Sequence, residues 1–492
     1  DNATDQAIVL NFTTKTKPAV TKALYDFIVP TDGDFKAALA AAAKRTDTSK
    51  RFRIFIKQGD YKIPADESSK VTGSDGNSYA NPTTYINTPN VSIIGEGMDN
   101  TSLTNTVPSS GQAANVLEGI GKGDVLCLQK EATNTYFQDL KMYSSMGDAK
   151  GRDIVLNDQS NKTICKNVNL WAYQDTYVSN NQNGKFYFED GILRGRTDFL
   201  CGKGDVYYNN VELWMCEKGG YLAVPSQPKK YGYIFKDCTI KDATAAKDLN
   251  GNYTLGRPWG KGTPIALYID TKMEAIPSAA GWSEMSGGYP KRFAEYNSNT
   301  STGSVVDLKD RKKVYDAYDS KDGDNYVNRR NETPESPILT AEEAATFTVE
   351  NIMGQDDDWD PTAATEQASA PTNVKLNGTT LTWDNNDYAL LWAICKNGKV
   401  VNFTITPSYI VDDASATWGV RAANEMGGLS EATVVGQGTG IHNITSATEA
   451  AVIKTAIYAA DGTQLSNLQK GINIIVKTLA DGSKKTSKVI VK

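Results

Sequence analysis

Between residues 136 and 241 the chain repeats one arrangement of apolar and polar positions. The segments are YFQDLKMY (136–143), ICKNVNLW (164–171), YFEDGILR (187–194), YYNNVELW (207–214) and IFKDCTIK (234–241). Each opens on two apolar or aromatic residues, passes through two polar ones, then alternates. The second polar position is Asp139, Asn167, Asp190, Asn210 and Asp237, at spacings of 28, 23, 20 and 27 residues. TPNVSIIG, beginning at Thr88, reads as an earlier copy. Short aromatic and β-branched runs that end repeatedly at Asn/Asp turns predict a solenoid. Almost no helical periodicity separates them. The predicted fold is therefore all-β: a right-handed parallel β-helix whose coils stack into side-chain ladders. The alternative, an antiparallel sandwich, requires tight Asn-Gly hairpins, and these are scarce in 130–245.

Other patterns flank this region. DFKAALAAAAKR (34–45) carries an Asp cap, Ala-rich propensity and basic residues at its end, which predicts a helix. It leads into FRIFIKQGDYKI, a strand and turn. In TAEEAATFTVENI, Thr340 and Glu343 have the spacing of a capping box. GQDDDWDPTAATEQASAPTN (354–373) is acidic, small and Pro-containing, and reads as a linker. Beyond it come short alternating strands, Asn-Gly turns at 377–378 and 397–398, and the aromatics Trp383, Tyr388, Trp392, Tyr409 and Trp418. That pattern predicts a small β-sandwich. The last segment has two Asp-Gly turns and a Lys-rich alternating end. The expected organisation is a solenoid domain at 1–360, a linker and sandwich at 361–435, and a second sandwich-like β module at 436–492.

Composition narrows the chemistry. The chain has 492 residues and a net charge of −6, which argues against nucleic acid as a partner. No run approaches the roughly 20 apolar residues of a membrane span. Without an initiator Met or an apolar leader, the expectation is a mature form of a secreted or cell-surface protein. Six cysteines show no CxxC pairing, so they read as buried free thiols and no metal is expected. The single histidine is His442, far from the solenoid in sequence. A His-dependent triad in the solenoid is therefore implausible, and carboxylates, Arg, Lys or Tyr must move protons there.

Three strings concentrate such groups: YQDT (173–176), TDFLCG (197–202) and LGRPW (255–259). Asp175 and Asp198 are 23 residues apart, about one coil, so they are expected to stack on one face. Paired carboxylates divide into two roles, because each raises the pKa of the other. Arg257 can hold one ionised and leave the other protonated. Gln174 can donate to a developing oxyanion. Tyr173, Phe199 and Trp259 offer flat faces to a sugar ring. The plainer alternative is that both Asp residues only cap turns.

Together, YQDT, DFLCG and LGRPW resemble the signatures of the pectin methylesterases, in family order and at near-family spacing. GWSEM (281–285) sits where that family has a Gly-Trp segment. The resemblance covers roughly 20–300. It implies a carboxylic ester hydrolase that removes methyl esters from the galacturonate units of pectin, with no cofactor. It assigns Asp198 as nucleophile, Asp175 as acid and then base, Gln174 as oxyanion donor and Arg257 as the cation on Asp198. It makes Tyr173, Phe199, Trp259 and Arg152 substrate-binding. The expected partner is methyl-esterified homogalacturonan, and the expected state is a monomer. Arg152 stands where the family often has a second Gln, Ile63 where it has a Glu, and Cys201 where an aromatic is common. The sandwich resembles a fibronectin type III module, and the C-terminal segment resembles the sorting domains of the Bacteroidetes type IX export system. The competing functions are a β-helix pectate lyase or polygalacturonase, and a catalytically silent pectin-binding homologue.

Overall fold

The computed structural model describes residues 24–436, apart from 108–113, 148–150, 244–247 and 386–388, together with the strands of 452–491. His442 and Tyr388 lie outside the described residues. The chain divides into two units, 1–436 and 437–492.

The first unit is built on a parallel β-helix. A bent 17-stranded sheet and a flat 7-stranded sheet wind around one core. Each repeat recognised in the sequence pairs in parallel with the next. Tyr136–Tyr143 lies beside Thr163–Trp171 with Leu140 opposite Val168. Next come Lys185–Glu189 and Ile192–Gly195, then Asp205–Asn209 and Glu212–Met215. TPNVSIIG forms the preceding rung, its Ile94 opposite Gln138.

The Asn/Asp positions make the bends. Asp139, Asn167, Asp190, Asn210 and Asp237 all have φ between 49° and 58°, and Asp270 and Asn297 continue the series. Asn and Asp tolerate this left-handed conformation better than other residues with a Cβ, because the short polar side chain bonds locally. Here they also bond to each other. Asn167 donates to Asp139 at 2.6 Å, Asn210 to Asp190 at 2.7 Å and Asn297 to Asp270 at 2.6 Å.

Inside, the repeat's aromatics stack coil on coil. Phe188, Tyr208, Phe235 and Tyr268 have successive ring centroids 5.2, 4.6 and 4.2 Å apart. Helix Phe35–Lys44 packs Phe35, Ala38, Leu39 and Ala42 onto the core, with Asp34 accepting from the Ala37 amide. Thr340 and Glu343 form the expected capping box on the short helix Ala341–Ala345. All six cysteines are buried and none is in a disulfide.

The segment expected to be a linker lies along the solenoid. Lys185 donates to the carbonyls of Met353 and Gln355 at 2.7 and 3.0 Å and pairs with Asp357. Gln355 donates to Asp205 and Thr365 to Glu189, each at 2.7 Å. Its acids thus meet lysines and its amides meet carboxylates, so a polar sequence is held in place by charge. The sandwich that follows pairs a three-stranded with a four-stranded antiparallel sheet. It shares a core with the outer face of the solenoid: Tyr25, Phe55 and Phe403 have ring centroids 4.9–5.2 Å apart. The described residues of the second unit form one four-stranded antiparallel sheet, Val452–Ala459, Gln464–Leu465, Gly471–Leu479 and Lys484–Val491.

Candidate active site

The flat sheet carries the three strings. Its strands Leu156–Asp158, Tyr177–Ser179, Thr197–Gly202, Tyr221–Pro225 and Thr254–Gly256 lie parallel in adjacent coils. Just before these strands, Arg152 bridges Gln174 and Gln174 bridges Thr197. Each next residue is an acid. Asp153, Asp175 and Asp198 therefore occupy one column, a rung apart.

The column members are held differently. Asp153 is buried and accepts from the backbone amides of Tyr173 and Gln174 at 3.0 and 2.9 Å. It fixes the backbone that presents Gln174. Asp198 is buried and receives Arg257 bidentately, Nε to Oδ1 at 2.9 Å and Nη2 to Oδ2 at 2.6 Å. The other face of that guanidinium rests 3.9 Å from the ring centroid of Tyr221. Burial alone would lower the Arg257 pKa, but the bonds to Asp198 outweigh it and the net shift is upward. Gly256 allows the close approach of this strand: a Cβ there would lie 2.5 Å from the carbonyl oxygen of Ala223.

Asp175 has no such clamp. Arg152 Nε stands 3.7 Å from its Oδ2, on a side chain that is 57% exposed. Burial, and then the charge of Asp198, push the Asp175 pKa up to about 7. Arg152, a hydrogen bond from Cys201 and Arg257 oppose that shift only partly. Two carboxyl groups one rung apart are thus held differently, one paired to a guanidinium and one able to carry a proton near neutral pH. Both are in the left-handed region, with φ of 59° at Asp175 and 51° at Asp198.

Among the other expected residues, Trp259 is 41% exposed. Tyr173 is mostly buried, and its hydroxyl donates to Glu217 Oε2 at 2.6 Å. Phe199 does not reach the surface. It is fully buried in the solenoid core, so it offers no face to a sugar. A bulge between Thr197 and Leu200 breaks the alternation and turns both Phe199 and Leu200 inward. Gly195 makes the room, since a Cβ there would fall 2.3 Å from Phe199 Cβ. Cys201 faces outward instead, in an apolar cluster with Ile154, Val178 and Val224.

Sequence reasoning missed Asp153, Tyr221, Glu217 and the Cys201 hydrogen bond. Asp153 was within reach, because the coil spacing that finds Arg152 also puts the next residue under Asp175. Glu217 lies in a turn of irregular length and carries no such signal, whereas Tyr221 opens a strand one coil on from Thr197, where the coil spacing also points. Beside Gln174 a cavity of about 330 Å³ opens, lined by Tyr173, Arg196, Thr197, Glu118 and Glu217. Among the described residues no group of His, Cys, Asp and Glu is placed to hold a metal ion, and no helix is long and apolar enough to cross a membrane.

Residues 26–329 match the family model described as pectinesterase. The chain is 24% identical over 285 residues to pectinesterase 2.1 of Solanum lycopersicum, covering 55% of this chain and 46% of that protein. It is likewise 24% identical over 270 residues to the probable pectinesterase 56 of Arabidopsis thaliana, covering 52% and 84%. The chain thus spans about half the length of the tomato relatives it matches. Among solved structures, a pectin methylesterase from carrot aligns with a TM-score of 0.51 at 18% identity, covering 70% of this chain and 96% of that one. A pectin methylesterase from Aspergillus niger aligns at 0.50 and 16%, covering 71% and 100%. These two alignments carry the fold: a right-handed parallel β-helix.

Proposed function

The chain belongs to the pectinesterase family, and we propose that it removes methyl esters from the galacturonate units of pectin, releasing methanol. The observation that carries this reading is the contrast within one column: Asp198 clamped by Arg257, and Asp175 shifted toward neutrality beside it.

The proposed chemistry follows from those states. The ionised Asp198 attacks the ester carbonyl. The carbonyl oxygen becomes an oxyanion, to which the side-chain amide of Gln174 donates, with Arg152 as a second donor in place of the family's Gln. Protonated Asp175 gives its proton to the departing methoxide, so methanol leaves and Asp198 carries an acyl anhydride. Asp175, now a carboxylate, takes a proton from water, and the resulting hydroxide attacks the acyl carbon. The new galacturonate leaves with its free acid, Asp198 regains its charge, and Asp175 is again protonated. Arg257 keeps the nucleophile ionised and oriented throughout. Trp259 and Tyr173 line the sugar groove.

The test is methanol release from methylated pectin by the purified protein, with Asp198→Ala as control. Methanol from the wild type and not from the variant is the expected result. Unsaturated uronides without methanol would replace this reading with a lyase. We also propose that the sandwich at 375–434 is a fibronectin type III-like module and that 437–492 serves export of a monomeric secreted or surface protein. The sandwich's three-plus-four strand arrangement supports the first reading. The second rests on the sequence pattern of the C-terminal segment, and loss of secretion on its deletion would test it.

A further inference from the structure

Among the described residues only two aromatic side chains are exposed, Trp259 and Tyr85, at 41% each. Trp259 belongs to the sugar groove proposed above, whereas Tyr85 has no assigned task. Tyr85 lies on the first strand of the flat sheet in chain order, Thr84–Ile86, opposite Cys127. From there one column runs through Asn157 and Val178 to Cys201. Tyr85 is thus four rungs from Cys201, roughly 19 Å at the usual strand spacing, a distance of several sugar units. A cavity of about 290 Å³ opens beside it. Helix Phe35–Lys44 walls that cavity with Ala40, whose small side chain leaves the space open. Lys36 comes from the same helix, Asp66 from the hairpin before the strand and Asn87 from just past it. Asp66 Oδ1 already holds the Ser68 amide and hydroxyl, at 2.9 and 2.7 Å. Thr83 and Thr84 complete the lining. They are 3% and 5% exposed, and neither hydroxyl has a hydrogen-bond partner among the described residues. Buried hydroxyls without partners are uncommon, and each calls for a group that the protein itself does not supply.

We propose that this cavity is a second, non-catalytic binding site for one galacturonate unit of the pectin chain, with the sugar ring on Tyr85 and its carboxylate at Lys36. Each part of the lining has a counterpart on a hexuronate. The phenol ring offers an apolar face to the C–H side of a pyranose. The ammonium takes the carboxylate, and Asp66 and Asn87 accept from sugar hydroxyls. The two threonine hydroxyls gain the partners that they lack. The volume suits one ring and no more. The polymer is then held at two points, at the column of Asp198 and at the helix-capped end of the solenoid. A second point of attachment raises the effective concentration of the chain at the first. Affinity for long chains therefore exceeds what the groove around Trp259 supplies alone.

The identity of the ligand rests on the pectin reading, and direct binding separates the two. Full-length Asp198→Ala protein is titrated with unesterified polygalacturonate by affinity electrophoresis. Adding Tyr85→Ala should raise Kd about fivefold by removing the ring face, and adding Ala40→Phe should do the same by filling the cavity. The two together should go no further, because both act on one site. Both positions are exposed, so the thermal midpoint should hold. Where Tyr85→Ala fails to fold, Ala40→Phe alone decides. A Kd that stays within about twofold in the folded variants overturns the inference. Weaker binding in Tyr85→Ala but not in Ala40→Phe overturns it too, since the ring would then bind without the cavity. Methanol release by the wild type is measured separately. Weakened binding in the variants, with no methanol from the wild type, sinks the esterase reading and leaves the site standing. Methanol release with unchanged binding does the reverse.

Discussion

Two stacks of Asn and Asp run along this solenoid with the same coil repeat, and every member except Asp153 is in the left-handed conformation. In the bend ladder, acid alternates with amide. Asn167 serves Asp139, Asn210 serves Asp190 and Asn297 serves Asp270. Where two acids do follow one another, at Asp237 and Asp270, Lys236 bridges them at 2.9 and 2.7 Å. In the column Asp153–Asp175–Asp198, acid follows acid with no amide between. One member is capped by backbone amides, one is clamped by Arg257, and the middle one keeps a proton near neutral pH. Asp153 apart, the backbone solution is shared; what differs is whether each carboxylate is neutralised by its neighbour. Chemistry sits where that rule is broken, because an acid satisfied on every side has nothing to give a substrate.

The largest expected effect comes from removing the nucleophile. Asp198→Ala should reduce methanol release by at least about 10³-fold while the thermal midpoint changes little. Comparable activity in the variant would end the distinction between the two stacks. Next is the proton on Asp175. With a folded pKa of about 7, the acid form needed for methanol departure is lost as pH rises through that value, so kcat/KM should fall above about pH 7. The stability sign is the same. Between the ordinary carboxyl pKa of about 3.9 and about 7, the folded state binds the extra proton, so stability declines with rising pH across that window and then levels off. Asp175→Asn should cut activity by about 10²–10⁴-fold and erase this stability slope. A slope unchanged in the variant would assign it to another group.

How far the sequence carries one toward this comparison depends on periodicity. The bends, the stacked coils, the one-coil spacing of Asp175 and Asp198 and the register of Arg152 with Gln174 all follow from repeat length, and the structure has them. The contact of Arg257 with Asp198 was anticipated from a short motif. What periodicity could not carry was local. The bulge after Thr197 reverses which side chains face out, which sends Phe199 into the core. Glu217 meets the site from a turn whose length follows no repeat. The acidic segment at 354–373 reads as a linker because composition shows its charge but not the lysines on the solenoid wall.

A smaller effect sharpens the role of the clamp. Arg257→Lys keeps a positive charge near Asp198, yet an ammonium cannot bridge both oxygens or lie flat on Tyr221. We expect kcat/KM to fall about 10²-fold, with the decline above about pH 7 preserved because Asp175 is untouched. Steady-state rates across pH check both halves. Activity within about twofold of wild type would mean that charge alone suffices and that orientation does not matter.

The smallest effect tests the comparison from the structural side. Asn167→Asp would place an acid directly against Asp139, reproducing in the bend ladder the acid-on-acid contact of the catalytic column. It removes the 2.6 Å hydrogen bond to Asp139, a carboxyl whose pKa burial already raises. The charge of Arg421 opposes the Asp139 shift only partly, and its guanidinium bonds to backbone carbonyls and to neither member. The expected cost is about 2 kcal/mol of stability near neutral pH, with methanol release unchanged once the protein is folded. Because both carboxyls would have raised folded pKa values, the folded state takes up a proton as pH falls, and the cost should shrink between about pH 7 and about pH 5. Thermal midpoints at those two values measure it. A cost that ignores pH would show that the ladder depends on the shape of its side chains. A cost that falls with acid would show that it depends on the alternation of charge, which is the rule the catalytic column breaks.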